Sequence, residues 1–248
     1  MIRVEDLHKS FDGLEVLRGV SFQVEKGEIV ALIGRSGYGK SVLLKHIAGL
    51  MRPDRGRVVI DGEDICCLRG KELERLRSRF AFLFQNGALF DSLTVFENVA
   101  FPLREKARLS EREIKERVLS ELEQVGLAGA EHKYPAEISG GMIKRTALAR
   151  ALVREPEIML FDEPTTGLDP IIVHAMLNLI DSCHKRLNFT GIIVTHQVPR
   201  IFDIVQRVVM LHGGVALVTG SPEEILSSKN SVVEQFITGS IEGPIEYH

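Results

Sequence analysis

The chain has 248 residues, 44% hydrophobic and 26% charged, with a formal net charge of −3. That length suits one large domain or a domain with an inserted lobe, and the composition is that of an ordinary globular protein. The charge balance gives no sign of a broad basic face for nucleic acid, and no apolar run approaches the ~20 residues that span a bilayer.

Residues 1–6 lack the basic and apolar regions of a signal peptide, and the three cysteines, without metal spacing or a disulfide framework, suit a reducing cytosol. Asp12-Gly13 and Lys26-Gly27 are turn signals. Between them Val20-Ser21-Phe22-Gln23-Val24 alternates apolar and polar residues, which predicts a half-buried antiparallel strand. Residues 28–33 are a short apolar run, read as a buried strand, and residues 40–50 carry Val42, Leu43, His46 and Ile47 at helical spacing. Between that strand and helix lies Gly34-Arg35-Ser36-Gly37-Tyr38-Gly39-Lys40-Ser41, which fits the phosphate-loop pattern in its proper context. Glycines let the backbone turn successive N–H groups toward an anion, and the helix beginning near Lys40 points its positive end at the same place. Lys40 would reach the β- and γ-phosphates, and the Ser41 hydroxyl would ligate Mg²⁺. A bare glycine-rich turn is the competing reading, and it explains neither flank.

Further on, Asp54-Arg55-Gly56 and Asp61-Gly62 bracket the short strand Arg57-Val58-Val59-Ile60 in a hairpin. Cys66, Cys67 and Cys183 show neither metal spacing nor a disulfide framework and read as idle or buried thiols. Phe80-Ala81-Phe82-Leu83-Phe84 reads as a second buried strand. Residues 92–153 are mostly helical, with Ser110-Glu111-Arg112-Glu113 as a capping box and Ile114, Val118, Leu122 and Val125 along one apolar face. A helical lobe at about 88–154 inserted in an α/β core is expected. Residues 156–163 return to a buried strand ending in Asp162 and Glu163. Alone, such carboxylates are weak as a signal; about a hundred residues after a phosphate loop they form its second motif. Asp162 would hold the Mg²⁺ shell and Glu163 would polarise an attacking water. Asp169-Pro170 is an N-cap and N1 pair, residues 191–196 form another buried strand, and two strands meet over Gly213-Gly214. Ser221-Pro222-Glu223-Glu224 caps what reads as the last regular helix. Ser139-Gly140-Gly141-Met142 opens a helix toward Arg145 and Arg150; read alone it is a common turn, although two glycines at a helix start can hold an anion.

Taken together the motifs resemble those of the ATPase subunits of ABC transporters. Ile138-Ser139-Gly140-Gly141-Met142 is similar to their signature loop, departing at Ile138 and at the non-polar Met142. Gln85 matches the Q-loop glutamine, Thr166-Gly167-Leu168-Asp169 the D-loop, Thr195-His196 the switch histidine, and Phe11 the aromatic that stacks on adenine. The resemblance implies a P-loop NTPase core with a RecA-like parallel sheet, an N-terminal antiparallel β subdomain and an inserted α-helical subdomain. It implies ATP and Mg²⁺, with Phe11 and residues 34–42 (through Val42) binding ATP. Glu163, His196 and Gln85 would be catalytic, and Ser41, Gln85 and Asp162 would face the metal. It also implies a head-to-tail dimer, in which Ser139, Gly140, Gly141 and Met142 meet the partner's ATP and Asp169 lies at the interface. A lone Phe or His is more often structural and a lone Gln uninformative; their order among the other motifs favours function.

A finer resemblance runs through residues 84–99 and 101–105, together with Ser-Gly-Gly-Met, Phe236-Ile237 and Gly243-Pro244. These are similar to the ATPase of Mla-type phospholipid transporters, which work with an MCE-type lipid-binding protein. The implied setting is the cytoplasmic face of the inner membrane, beside a separate permease and without nucleic acid. An importer of amino acids or other solutes, a non-transport ABC ATPase and a non-hydrolysing nucleotide-binding module are the rivals. The lack of a basic stripe and the presence of Glu163, Gln85 and His196 weigh against the last two. Residues 1–230 read as one ATPase domain and 231–248 as a docking tail. In the tail Val232, Val233, Phe236, Ile237, Ile241, Ile245 and Tyr247 want a surface to cover. Tyr38 is expected to point outward from the loop.

Overall fold

A computed structural model describes residues 1–106 and 109–245. In chain order it contains β1 (Ile2–Phe11), β2 (Leu14–Val24), β3 (Ile29–Ile33), α1 (Lys40–Ile47), β4 (Arg55–Ile60), β5 (Glu63–Asp64), α2 (Gly70–Arg77), β6 (Phe80–Leu83) and α3 (Val95–Lys106). There follow α4 (Glu111–Gln124), α5 (Gly140–Leu152), β7 (Ile158–Asp162), α6 (Pro170–Leu187), β8 (Thr190–Val194), β9 (Arg207–His212), β10 (Val215–Gly220), α7 (Pro222–Leu226) and α8 (Ser231–Thr238). Two units result: Met1–Arg79 with the chain from Phe189 onward, and Phe80–Asn188.

In the first unit, β2, β1, β4 and β5 form an antiparallel sheet in that order. The strand β1 escapes a period-two reading of the sequence for a physical reason. Ile2, Val4 and Leu7 are its buried residues, and the ladder slips between Val4 and Leu7, where Asp6 takes φ 47°. Such a bulge inserts one residue and moves every later side chain to the other face. A second layer orders β10, β9, β3 and β8. The pairs β9–β3 and β3–β8 are parallel, and β10–β9 is the hairpin over Gly213-Gly214. Every residue of β3 and β8 is buried, as in a parallel sheet covered on both faces.

Helix α1 stops at Ile47, three residues short of the expected end. The Ser221-capped helix is only five residues long and is not the last. Asn230 caps α8, in which Val233 and Gln235 are buried. The Gln235 amide donates to the Ser240 and Ile245 carbonyls and accepts from Ile245 N at 2.6 Å, so the chain after Gly239 doubles back on α8. Ile241 stays 78% exposed, while Tyr247 and His248 lie outside the described residues.

In the second unit, β6 and β7 pair in parallel. Strand β7 is buried through Phe161, but β6 is half-buried up to Phe82 and Phe84 is 39% exposed. The expectation of a fully buried strand therefore holds only for Leu83. Helices α3, α4 and α5 bring Val95, Val99, Leu103, Ile114, Val118, Leu122, Leu148 and Leu152 into one core. The Ser110 capping box starts α4, and the Asp169 carboxylate accepts from Ile171 N and Ile172 N to start α6. Fully buried Asn98 pins the turn before α3, accepting from Phe90 N and donating to the Phe90, Leu93 and Thr94 carbonyls.

Candidate functional site

Each unit carries part of the expected machinery at the carboxyl ends of parallel strands, where open α/β sheets bind ligands. In the first unit Leu32 pairs with Val194, and Thr195 N donates to the Leu32 carbonyl at 3.2 Å. The phosphate loop after β3 and His196 after β8 therefore leave neighbouring strands at the same end. His196 is exposed, and buried Thr195 accepts from Gln197 N through its hydroxyl.

The loop's shape follows from its neighbours. Gly34 has φ 140°, and a Cβ there would lie 2.3 Å from the Leu211 carbonyl oxygen of β9. No other residue fits that approach. Gly39 is the N-cap of α1 in the left-handed region; it offers no side-chain acceptor, and no acidic residue occupies the first turn. The positive end of α1 therefore faces the loop with no acidic side chain in its first turn to offset it, which favours an anion there. Lys40 is 6% exposed, and its ammonium donates to the Gly34 and Arg35 carbonyls at 2.7 and 2.9 Å. Its charge is held at the mouth of the loop. Ser41 and Val42 are half-buried in the same first turn. Tyr38 differs from expectation: its ring is half-buried and packs edge-on against His212 of β9, centroids 5.2 Å apart.

Phe11, at the end of β1, is 39% exposed. Lys9 Nζ lies 5.5 Å from its ring and 2.7 Å from Asp54, whose other oxygen accepts from Ser10 N at 2.7 Å. Asp54 thereby ties down the residues preceding Phe11. The Lys9 ammonium and the Ser10 amide hold the Asp54 carboxyl below its usual range.

In the second unit Leu83 pairs with Phe161, so Gln85 and the pair Asp162 and Glu163 also emerge at one end. Glu163 takes φ 51°, uncommon outside glycine, and its carboxylate accepts from the Thr166 hydroxyl at 3.2 Å. Strained residues of this kind cluster at functional sites. Ser139 is the N-cap of α5 and accepts from Met142 N at 3.3 Å; Ser139 and Gly140 are exposed.

Lys144 and Arg150 of α5 reach the Gln85 loop. Lys144, only 6% exposed, donates to the Gln85 carbonyl, and Arg150 to the Gly87 and Ala88 carbonyls at 2.6 and 2.8 Å. Burial pushes the Lys144 ammonium below its usual range, and the Glu163 carboxylate opposes this. Reading the sequence missed Lys144. Its signal was a cation at helical spacing from Ala147 and Leu148, on the buried face of α5. Among the described residues no group of three or more His, Cys, Asp or Glu could hold a metal, and no helix is long and apolar enough to cross a membrane.

Comparison with known proteins identifies the family. The family model described as ABC transporter matches residues 17–166. The chain is 41% identical over its full length, and over 94% of the relative, to the intermembrane phospholipid transport system ATP-binding protein MlaF of Haemophilus influenzae. It is 44% identical, over 98% of its length and 70% of the relative, to the "Probable ribonucleotide transport ATP-binding protein mkl" of Mycobacterium leprae. Among solved structures it superposes on a dimeric ATP-binding cassette in a post-hydrolysis state bound to ADP and Pi. The TM-score there is 0.81 at 31% identity, covering 90% of this chain and 99% of that one. With the phosphate loop, the Asp162-Glu163 strand end and the Ser139 helix all inside this architecture, the chain belongs to the ABC transporter family, as an ATP-hydrolysing subunit.

Proposed function

We propose that the chain powers phospholipid transport between membranes, as one of two identical ATPase subunits at the cytoplasmic face of the inner membrane. It would act beside a separate permease and an MCE-type lipid-binding protein. The observation that carries this reading is full-length similarity to the phospholipid-system MlaF, which includes the helical segment from Val95 and the tail. In this reading Phe11 stacks on adenine, and the loop from Gly34 to Val42 wraps the phosphates with Lys40 as the cation. Ser139, Gly140, Gly141 and Met142 close on the partner's nucleotide across an interface containing Asp169. The exposed aromatics Phe84, Phe90 and Phe101 flank the loop after Gln85 and offer an apolar face to a permease helix.

The donors Ser41, Asp162 and Gln85 are hard oxygen ligands. A hydroxyl, a carboxylate and an amide oxygen are donors that suit Mg²⁺. When bound, the ion would neutralise charge on the β- and γ-phosphate oxygens. In this reading Glu163 accepts a proton from the attacking water, Lys40 balances the charge spreading over the γ-phosphate, and His196 serves as the switch histidine.

Glu163→Gln tests the chemistry: ATP affinity should persist while turnover falls about 10²–10⁴-fold, and turnover within about threefold of wild type would refute the assignment. The cargo is tested by purifying the chain with its membrane partner and identifying the bound small molecule by mass spectrometry. Phospholipid supports the reading. A bound ribonucleotide other than the hydrolysed ATP would favour the second one, which the similarity to mkl motivates.

A further inference from the structure

The loop from Gln85 to Ala88 is fastened to α5, the helix that begins at Ser139. Lys144 donates to the Gln85 carbonyl, and the two arms of Arg150 donate to the Gly87 and Ala88 carbonyls. The surfaces also fit closely. Gly87 has φ 74°, and a Cβ there would lie 3.2 Å from Ile143 and 3.4 Å from Ala147 of α5. Ala88 takes φ 49°, a conformation that a residue with a side chain keeps only when its surroundings impose it. The Arg150 guanidinium on its carbonyl is such an imposition.

Desolvating two cations is costly unless each finds a hydrogen-bonding partner. Each cation is matched by the carbonyls to which it donates. The Lys144 ammonium that holds the Gln85 carbonyl also feels the Glu163 carboxylate electrostatically.

We propose that Lys144 and Arg150 are positioning residues that lock the Gln85 loop to α5, so that Gln85 follows the Ser139 helix as a single piece. The clamp grips the Gln85 main-chain carbonyl and leaves the side-chain amide outside it. Closure of the Ser139 loop on a partner's nucleotide would then be felt directly at Gln85. This consequence rests on the roles assigned to Gln85 and Ser139 above; the clamp itself does not.

The test uses the full chain and two readouts. In Lys144→Met, hydrogen exchange of amides at 84–90 should rise about tenfold or more, while amides of α1 stay protected. Steady-state kcat should fall about tenfold with the ATP KM within about twofold, and Lys144→Arg should restore kcat to within about threefold. Exchange at 84–90 equal to wild type overturns the clamp, whatever the rate does. Raised exchange with unchanged kcat overturns its role in turnover. Glu163→Gln, run in parallel, separates the two readings: if it retains turnover, the catalytic assignment fails while the exchange result still judges the clamp. Should Lys144→Met not fold, Arg150→Lys replaces a two-armed donor by one ammonium. It should raise exchange at the same amides, and unchanged exchange there overturns the proposal.

Discussion

Gly34→Ala separates two reasons for a glycine in the phosphate loop. A Cβ at Gly34 would lie 2.3 Å from the Leu211 carbonyl oxygen, against a practical floor of 3.0 Å, so about 0.7 Å must be found. Neither backbone yields easily. Ile33, just before Gly34, pairs with Met210, and Leu211 itself pairs with Ala216 of β10. Overpacking against a fixed backbone costs about 1–3 kcal/mol. Forcing a side chain onto φ 140° adds about 1–3 kcal/mol of conformational strain. The sum is about 2–6 kcal/mol, which at this chain length lowers Tm by about 4–24 °C. Gly37→Ala is the internal control: φ there is 86°, and nothing lies within 4 Å of an added Cβ. It should cost only the conformational part, about 1–2 kcal/mol. Urea unfolding of both variants, followed by far-UV circular dichroism, measures the difference. Gly34→Ala should exceed Gly37→Ala by at least about 1 kcal/mol at unchanged m-value. Equal costs would refute the argument that β9 dictates this glycine.

Asn98→Ala should destabilise the chain by about 2 kcal/mol or more by urea titration, because it strands the Phe90 N–H and takes the donor from the Leu93 carbonyl, while the Phe90 and Thr94 carbonyls keep backbone donors in Leu93 N and residue 98 N. A loss below about 1 kcal/mol would mean that water replaces the amide. Asp54→Asn bears on pH dependence. The folded state depresses this carboxyl, so its contribution is present above the ordinary carboxylate pKa and lost as pH falls through the lower folded value. The variant should be less stable than wild type at neutral pH, with the two converging in strong acid; a gap independent of pH would refute the linkage. Removing residues 240–248 should leave the subunit folded and weaken self-association by sedimentation. Unchanged assembly and ATP turnover would mean the tail serves only its own α8.

What the sequence determined by itself was the chemistry that local residues carry. Glycines between a buried strand and a helix make a phosphate loop wherever the chain runs. Ser110, Asp169 and Ser221 are caps because each bonds N–H groups within three residues. Continuous apolar runs announced β3, β7 and β8, since a strand buried on both faces has no polar side to show. Tertiary structure decided whatever depends on a distant partner. The bulge at Asp6 hid β1, and the half-burial of β6 depends on its neighbours. Tyr38 turned to His212 because β9 runs beside the loop. The reach of Lys144 to Gln85 spans 59 residues of sequence, and no local pattern encodes it. The strain at Glu163 is of the same kind. A backbone takes an uncommon φ only when the surrounding fold compels it, and that compulsion exists only once distant segments have come together.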